Sequence, residues 1–245
     1  MNRGYYTAAQ AMINQQRILD AISNNVINVN TAGYRKDEIV TNTFQEELFL
    51  VSSRTKTSGT SYQTYVDSSK TNLEQGGFEF TGSRYDLGIY GNVYFNIKHA
   101  NGNVYQTRNG QFELDGEGYL ILGRSGRVQG QNGDIYLGSH DFEIRENGDI
   151  VTDEGVIDRL LLTYIPPEAD VDKFGENLFT YQGGEQMPLN EQYTVIQGAF
   201  EKSNVDSVKE MTQAMEAQRM YEASSKILQY FDTMNRRSAQ EIAEI

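Results

Sequence analysis

The sequence contains no cysteine and no tryptophan, and only three of its 245 residues are proline. The absence of cysteine excludes disulfide bonds, thiolate catalysis and cysteine-ligated zinc sites. No stretch approaches the roughly 20 apolar residues that a membrane-spanning helix needs. The opening MNRGYYTAAQAMINQQ also lacks the continuous apolar core of a cleavable signal peptide. We therefore expect any export of the chain to use another route.

Basic residues are also scarce. The chain has 21 Lys and Arg against 34 Asp and Glu, which gives a net charge of -13 and a pI near 4.6. The longest basic runs are two pairs, Arg35–Lys36 and Arg236–Arg237. Because nucleic-acid-binding proteins usually carry a basic face, no nucleic-acid partner is predicted.

No motif indicates catalysis or a cofactor. His99 and His140 have no partner at ligand spacing, and the acid–glycine turn at Asp115–Gly118 lacks the complete calcium-loop pattern. The glycine-rich stretch Gly123–Gly130 lacks the Lys-Ser/Thr ending of a phosphate loop. No catalytic residue, cofactor or metal site is predicted, and the chain is not expected to be an enzyme.

What the sequence does contain is helical periodicity at both ends. Apolar residues at spacings of three and four predict a helix from about residue 2 to 30, roughly 40 Å long. A second predicted helix covers about residues 205–242, with Ser203 or Asn204 as its cap and Asp206 near the positive end of its dipole. The residues expected to pack these helices include Met12, Leu19, Ile22, Val26, Val29, Met211, Met220, Tyr221, Ile227, Leu228, Phe231 and Met234.

The middle of the chain is different in kind. Four Asn-Gly pairs separate short alternating runs such as NVYFNI and DFEIRE, which predicts a series of antiparallel hairpins. The expected fold class is therefore α+β, with long N- and C-terminal helices forming a coiled pair that flanks a β-rich domain. The N-terminal helix of an inner domain is predicted at residues 1–35 and an extended connector at 36–70. The β-rich outer domain is predicted at 71–198 and the C-terminal helix of the inner domain at 199–245.

The two terminal helices predict assembly on physical grounds. A single pair of helices buries only part of such apolar faces, and helices owe most of their stability to tertiary packing. We therefore expect the pair to require copies of itself from other molecules.

Motifs at both ends resemble the flagellar axial proteins, and specifically the basal-body rod proteins. In SNNVINVNTAGYRK the positions that match the N-terminal signature of that family are Asn24, Asn25, Asn28, Thr31, Gly33, Tyr34 and Arg35. In SNVDSVKEM and AQRMYEASSKILQYFDTM the matching positions include Ser203, Asn204, Val205, Met211, Gln218, Arg219, Tyr221, Glu222, Ala223 and Lys226. Ile27 stands where the family usually has alanine, and TGSRYDLGIYGNVYFNI is similar to the β region of rod and hook proteins.

The resemblance implies a structural subunit of a hollow helical tube that transmits torque and conducts exported subunits. It implies copies of itself, other rod and hook proteins and the type III export apparatus as partners, with no membrane span. The expected location is the flagellar basal body in the cell envelope or periplasm. The short β domain and the YYTAAQAM opening favour a proximal-type over a distal rod protein. Polar residues on the C-terminal helix that could face the channel are Gln213, Glu216 and Gln240.

The N-terminal motif has a more specific expectation. Asn24 and Asn28 share one helix face, which we expect to meet another subunit through uncharged amides. Gly33 is expected to end the helix with a positive φ, and Tyr34 and Arg35 to begin the connector. Two functional alternatives remain at this point, a secreted β-rich binding or adhesin module with helical oligomerisation tails, and a flagellar hook subunit. A hydrolase in the β domain has no supporting constellation.

Overall fold

The computed structural model describes residues 3–43, 64–138, 141–153, 155–175, 177–181 and 192–243. Most of the predicted connector, together with His140, lies outside the described residues. The described chain forms two compact units. The first, the helical unit, comprises residues 1–27, 37–70 and 206–245, and the second, the β unit, comprises residues 28–36 and 71–205.

The helical unit consists of two long helices and a small sheet. Helix α1 spans Arg3–Ile27 and helix α2 spans Ser207–Ala243. Strands β1 (Asp37–Thr43) and β2 (Thr64–Thr71) pair with each other, so the described ends of the predicted connector are sheet and not only extended chain.

The two helices pack against each other in antiparallel directions. Asn25 near the end of α1 bonds Glu210 near the start of α2, and a Cβ built on Gly4 would lie 2.7 Å from the ring of Phe231. Apart from Ile22, the buried described positions along the pair are small or polar, and they are Ala8, Asn14, Asn25, Glu210, Ala217 and Ser224. Glu210, Ala217 and Ser224 follow one another at intervals of seven, the spacing of a narrow packing seam.

The start of α2 differs from the prediction. Asp206 caps the helix, because its Oδ1 accepts hydrogen bonds from the amides of Val208 at 3.0 Å and Lys209 at 3.2 Å. Asn204, one of the two predicted caps, accepts from the amide of Lys36 instead. The preference for a carboxylate follows from the exposed amides and positive dipole of the helix start.

The β unit is built from 16 further strands and is antiparallel throughout its described pairs. The largest sheet has the order β15-β16-β6-β5-β9-β8-β7, with β10 on β9 and β14 on β5. The other sheets are β11-β12-β13, β17-β4 and β18-β3. The bounds are β3 Phe78–Phe80, β4 Leu87–Tyr90, β5 Val93–Lys98, β6 Val104–Thr107, β7 Glu113–Leu114, β8 Leu120–Leu122, β9 Gly126–Gly130, β10 Gly133–Asp134, β11 Phe142–Ile144, β12 Asp149–Thr152, β13 Gly155–Arg159, β14 Leu162–Tyr164, β15 Asp172–Phe174, β16 Leu178–Thr180, β17 Thr194–Gln197 and β18 Ala199–Glu201.

The alternating runs predicted from the sequence supply the core of this unit. Phe95, Ile97, Leu120 and Val128 are among the residues of one large buried cluster, and Tyr94 and Phe179 belong to a second one. Three of the four Asn-Gly pairs form turns with a left-handed glycine. The pair at Asn109–Gly110 does not: a Cβ on Gly110 would lie 1.7 Å from the carbonyl oxygen of Leu87, so this glycine permits close contact with β4.

Candidate functional site

The N-terminal motif is divided between the two units. Asn25 belongs to the helical unit, whereas Asn28 and the segment Thr31–Arg35 belong to the β unit. This grouping differs from the predicted boundary at residue 35, because α1 ends at Ile27 and the residues after it are held by the β unit.

Asn25 joins three parts of the helical unit. Its side-chain amide pairs with the backbone of Asp37, receiving the Asp37 N–H at 3.0 Å and donating to the Asp37 carbonyl at 3.0 Å. The same Nδ2 also donates to Oε2 of Glu210 at 3.3 Å. Asn25 and Glu210 are both almost fully buried, so these bonds satisfy polar groups that water cannot reach.

The turn after α1 is held by its own polar groups. The Thr31 hydroxyl donates to Oδ1 of Asn28 at 3.2 Å, and the Thr31 amide donates to the Asn28 carbonyl at 3.1 Å. Gly33 has the predicted positive φ, at +65°, but it does not end the helix, because α1 stops at Ile27. A Cβ at Gly33 would lie 2.3 Å from backbone atoms of Arg108 and Asn109, so close packing also requires glycine here.

Tyr34 and Arg35, which were predicted to begin the connector, are held inside the β unit. Both are buried in the β unit, and Arg35 is 0 % exposed. Lys173 donates to the Arg35 carbonyl at 2.7 Å and lies over the Tyr34 ring. The reason for the difference is a buried carboxylate from a distant part of the chain, which can neutralise the guanidinium.

That carboxylate is Glu201, at the end of β18. Its Oε1 lies 2.7 Å from Nη1 of Arg35, and its Oε2 lies 2.9 Å from Nη1 of Arg108. All three side chains are at most 2 % exposed, and Arg108 also donates to the carbonyls of Ile89 and Gly91. Burial lowers the pKa of Arg108, and the charge of Glu201 opposes that shift. We call Arg35, Arg108 and Glu201 the buried charge cluster.

The C-terminal motif lies beside this cluster and then continues along α2. Ser203, Asn204 and Val205 belong to the β unit, where Asn204 is half-buried and Val205 is buried. Most motif residues on α2 are exposed, and Gln218 donates a hydrogen bond to Glu222 at 3.1 Å. The exposed motif residues of α2 are Met211, Gln218, Arg219, Glu222, Ala223 and Lys226, whereas Tyr221 is half-buried.

The predicted helix-packing residues fall into two groups. Ile22 is buried, and Met12, Leu19, Val26, Val29, Tyr221, Leu228 and Phe231 are half-buried. Met211, Met220, Ile227 and Met234 are 46–62 % exposed, so the pair does not cover them. The candidates for a channel-facing role, Gln213, Glu216 and Gln240, are exposed as well. The exposed large apolar side chains of α2 are Val208, Met211, Met215, Met220, Ile227, Tyr230 and Met234, which we call the α2 apolar set.

Sequence reasoning missed the buried charge cluster. Arg108 directly follows β6 and Glu201 ends β18, and the sequence pattern of neither segment marks the charged residue as buried. No group of three or more metal-ligating side chains was found among the described residues. None of the described helices has the length and hydropathy needed to cross a membrane.

Comparison with known proteins gives three family matches along the chain. Residues 6–35 match the family described as flagella basal body rod protein, and residues 88–150 match the flagellar hook protein FlgE/F/G D1 domain. Residues 196–241 match the flagellar basal body rod FlgEFG protein C-terminal family. The first and third matches contain the two motifs described above.

Curated relatives align over almost the whole chain. The flagellar basal-body rod protein FlgG of Bacillus subtilis is 30% identical over 253 residues, which cover 93% of this chain and 94% of the relative. FlgG of Agrobacterium fabrum is 29% identical, covering 95% and 96% of the two chains. FlgF of Caulobacter vibrioides is 27% identical and covers both chains completely. These findings confirm the predicted resemblance: the chain belongs to the flagellar basal-body rod protein family and is a structural subunit of the rod.

Proposed function

We propose that the chain polymerises into a hollow helical tube through its helical unit, with α1 and α2 as a coiled inner layer. The observation that carries this proposal is the α2 apolar set, which one chain leaves exposed along the helix. Exposed apolar side chains in such number on one helix are typical of a surface that another protein covers. In a tube of identical subunits, repeated heterologous contacts supply that cover.

The charge of the helices supports tight packing between copies. Residues 3–27 and 207–243 carry seven basic and six acidic side chains, so neighbouring helices would meet with little net repulsion. Polar residues exposed on α2 remain available for the channel wall, and we propose Gln213, Glu216 and Gln240 for it. A polar wall would keep passing apolar segments from binding.

We also propose the finer assignments of position and partners. The short β region and the YYTAAQAM opening support a proximal-type rod position, and relatives named FlgF and FlgG both align along the chain. Copies of the chain and other rod and hook proteins would be its neighbours. Export would use the flagellar type III apparatus without signal-peptide cleavage, and the assembled subunit would lie in the basal body within the periplasm. In this position it transmits torque.

The test compares variants on two faces of α2 in a strain that lacks the chromosomal gene. Met220→Lys with Met234→Lys introduces two charges into the α2 apolar set, and the control Gln229→Lys introduces one charge at an exposed polar position of the same helix. We expect the purified double variant to keep its helix content but to be absent from isolated hook–basal bodies. The Gln229→Lys protein should be incorporated.

Two results would contradict the proposal. One is normal incorporation of the double variant, which would show that the α2 apolar set is not an assembly surface. The other is immunolocalisation of the wild-type protein to the hook and not to the rod, which would favour a hook subunit.

A further inference from the structure

The chain passes between its two units at four places, which are after Ile27, Lys36, Lys70 and Val205. Each crossing has an end on the β-unit side, formed by residues 28–36, 71–74 and 201–205. The contacts among these three segments decide whether they move separately or together.

A single side chain connects three of these segments. Oδ1 of Asn204 accepts the amide of Lys36 at 2.8 Å, and its Nδ2 donates to the carbonyls of Asn72 at 3.0 Å and Glu74 at 3.1 Å. The backbone amide of Asn204 donates to the Tyr34 carbonyl at 3.3 Å. The Asn72 amide donates to the Lys36 carbonyl at 2.9 Å and closes the arrangement.

Asn204 is not needed for the start of α2, although the sequence suggests such a role. Asp206 supplies the helix cap, and the Ser203 hydroxyl accepts the Val205 amide at 3.2 Å. Among the described residues, the Asn204 side chain bonds instead to segments at the other crossings. Its amide is suited to this task because it both donates and accepts without carrying charge.

The buried charge cluster, close to Asn204 in the sequence, joins the segments 28–36 and 201–205 a second time. Arg35 is fully buried, and its Nε and Nη2 have no hydrogen-bond partner among the described residues, so it depends on Glu201 for charge neutralisation. Glu201 also accepts the Gly76 amide at 2.8 Å, and its carbonyl accepts the Gly33 amide at 2.7 Å. The side-chain amide of Asn177 donates a hydrogen bond to the Ala32 carbonyl at 3.2 Å.

We propose that these contacts form a force-transmitting joint, with Asn204 as its tie and the Arg35–Glu201 pair as its buried anchor. Force applied to α1 can reach the β unit at every crossing, and the joint makes the segments 28–36, 71–74 and 201–205 carry that force together. The inference rests on the proposed function in that a rod subunit transmits torque. It assigns that mechanical role to residues of the two terminal motifs that do not belong to α1 or α2.

The joint can be measured on the full-length monomer with optical tweezers. Because the chain has no cysteine, the exposed positions Ser23 and Val156 can each receive one as an attachment point, in α1 and in the β unit. We expect the joint to rupture before either unit unfolds, as a separate step in the extension recorded at constant force. Asn204→Asp, which keeps the acceptor and removes both donors, should shorten the lifetime of the joint at constant force at least tenfold. Arg35→Met should do the same.

Controls separate the joint from the fold around it. Arg84→Met removes an exposed ion pair with Asp141 and should leave the lifetime unchanged. With both attachment points inside the β unit, at Tyr136 and Val156, Asn204→Asp should leave the unfolding force unchanged. Unchanged lifetimes in both joint variants would overturn the proposal, and so would equal weakening with either pair of attachment points. Absence of the wild-type chain from purified basal bodies would instead contradict the proposed function, and it is a separate measurement.

Discussion

The helical unit and the β unit differ in how completely they bury their apolar side chains. Residues 71–205 carry 21 acidic and nine basic side chains, yet their apolar residues close into two buried clusters. The two helices are almost neutral, but among its described side chains α2 leaves seven large apolar ones exposed. An acidic surface around a closed core favours solubility, whereas a large exposed apolar surface on a nearly neutral helix is typical of a protein interface.

The buried charge cluster gives the largest expected difference between the two units. Glu201→Gln leaves the guanidiniums of Arg35 and Arg108 buried without a counter-charge, which should cost about 3–5 kcal/mol of unfolding free energy. Urea denaturation followed by tyrosine fluorescence would measure this loss in the β unit. Asp141→Asn breaks an exposed pair with Arg84 and should cost less than about 1 kcal/mol. Equal losses in the two variants would show that Glu201 does not hold the cluster together.

Gly33 tests whether the segment after α1 is really part of the β unit. Gly33→Ala meets both a left-handed φ and backbone atoms 2.3 Å from the new Cβ. Gly102→Ala has a similar φ of +85° and open space, so it should lose only the conformational cost of about 1–2 kcal/mol. We expect the loss at Gly33 to exceed that at Gly102 in the same denaturation experiment. A smaller loss at Gly33 would contradict its close packing against the backbone of Arg108 and Asn109.

The sequence was sufficient where a local pattern determines the structure. Spacings of three and four located α1 and α2, and alternating runs located strands such as β5 and β11. It was insufficient where a distant residue changes the environment of a side chain. Nothing in the sequence around Arg35 predicts its burial, because the carboxylate that neutralises it belongs to Glu201, far along the chain. The seam of α1 and α2 was also hard to predict, because small residues such as Ala217 and Ser224 take the buried positions and methionines do not.

That seam gives a prediction of intermediate size. Ala217 is 4 % exposed, so Ala217→Leu should force the helices apart and destabilise the helical unit by about 1–3 kcal/mol. Ala223 lies on the same helix but is exposed, and Ala223→Leu should change stability by no more than about 0.5 kcal/mol. Thermal unfolding followed by circular dichroism at a helical wavelength would compare them. If the two variants melt alike, small residues are not what sets the packing of the pair.

The smallest expected effect concerns the acidic surface of the β unit. Asp149 on β12 faces Arg159 on β13, and the hydrogen bond from Arg159, assisted by one from Asn147, lowers the pKa of the Asp149 carboxyl. The contribution of this pair to stability is therefore complete above the ordinary aspartate pKa of about 3.9 and is lost as the pH falls through the lower pKa of the folded state. Arg159→Met should raise the pKa of Asp149 in a carbon-detected NMR titration and leave the unfolding of the helical unit unchanged. An unaltered titration of Asp149 would assign its lowered pKa to the neighbouring Asn147 amide and not to the cross-strand cation. Because the Arg159 side chain is 45 % exposed, even the loss of this pair should leave intact the contrast between the closed core of the β unit and the exposed apolar side chains of α2.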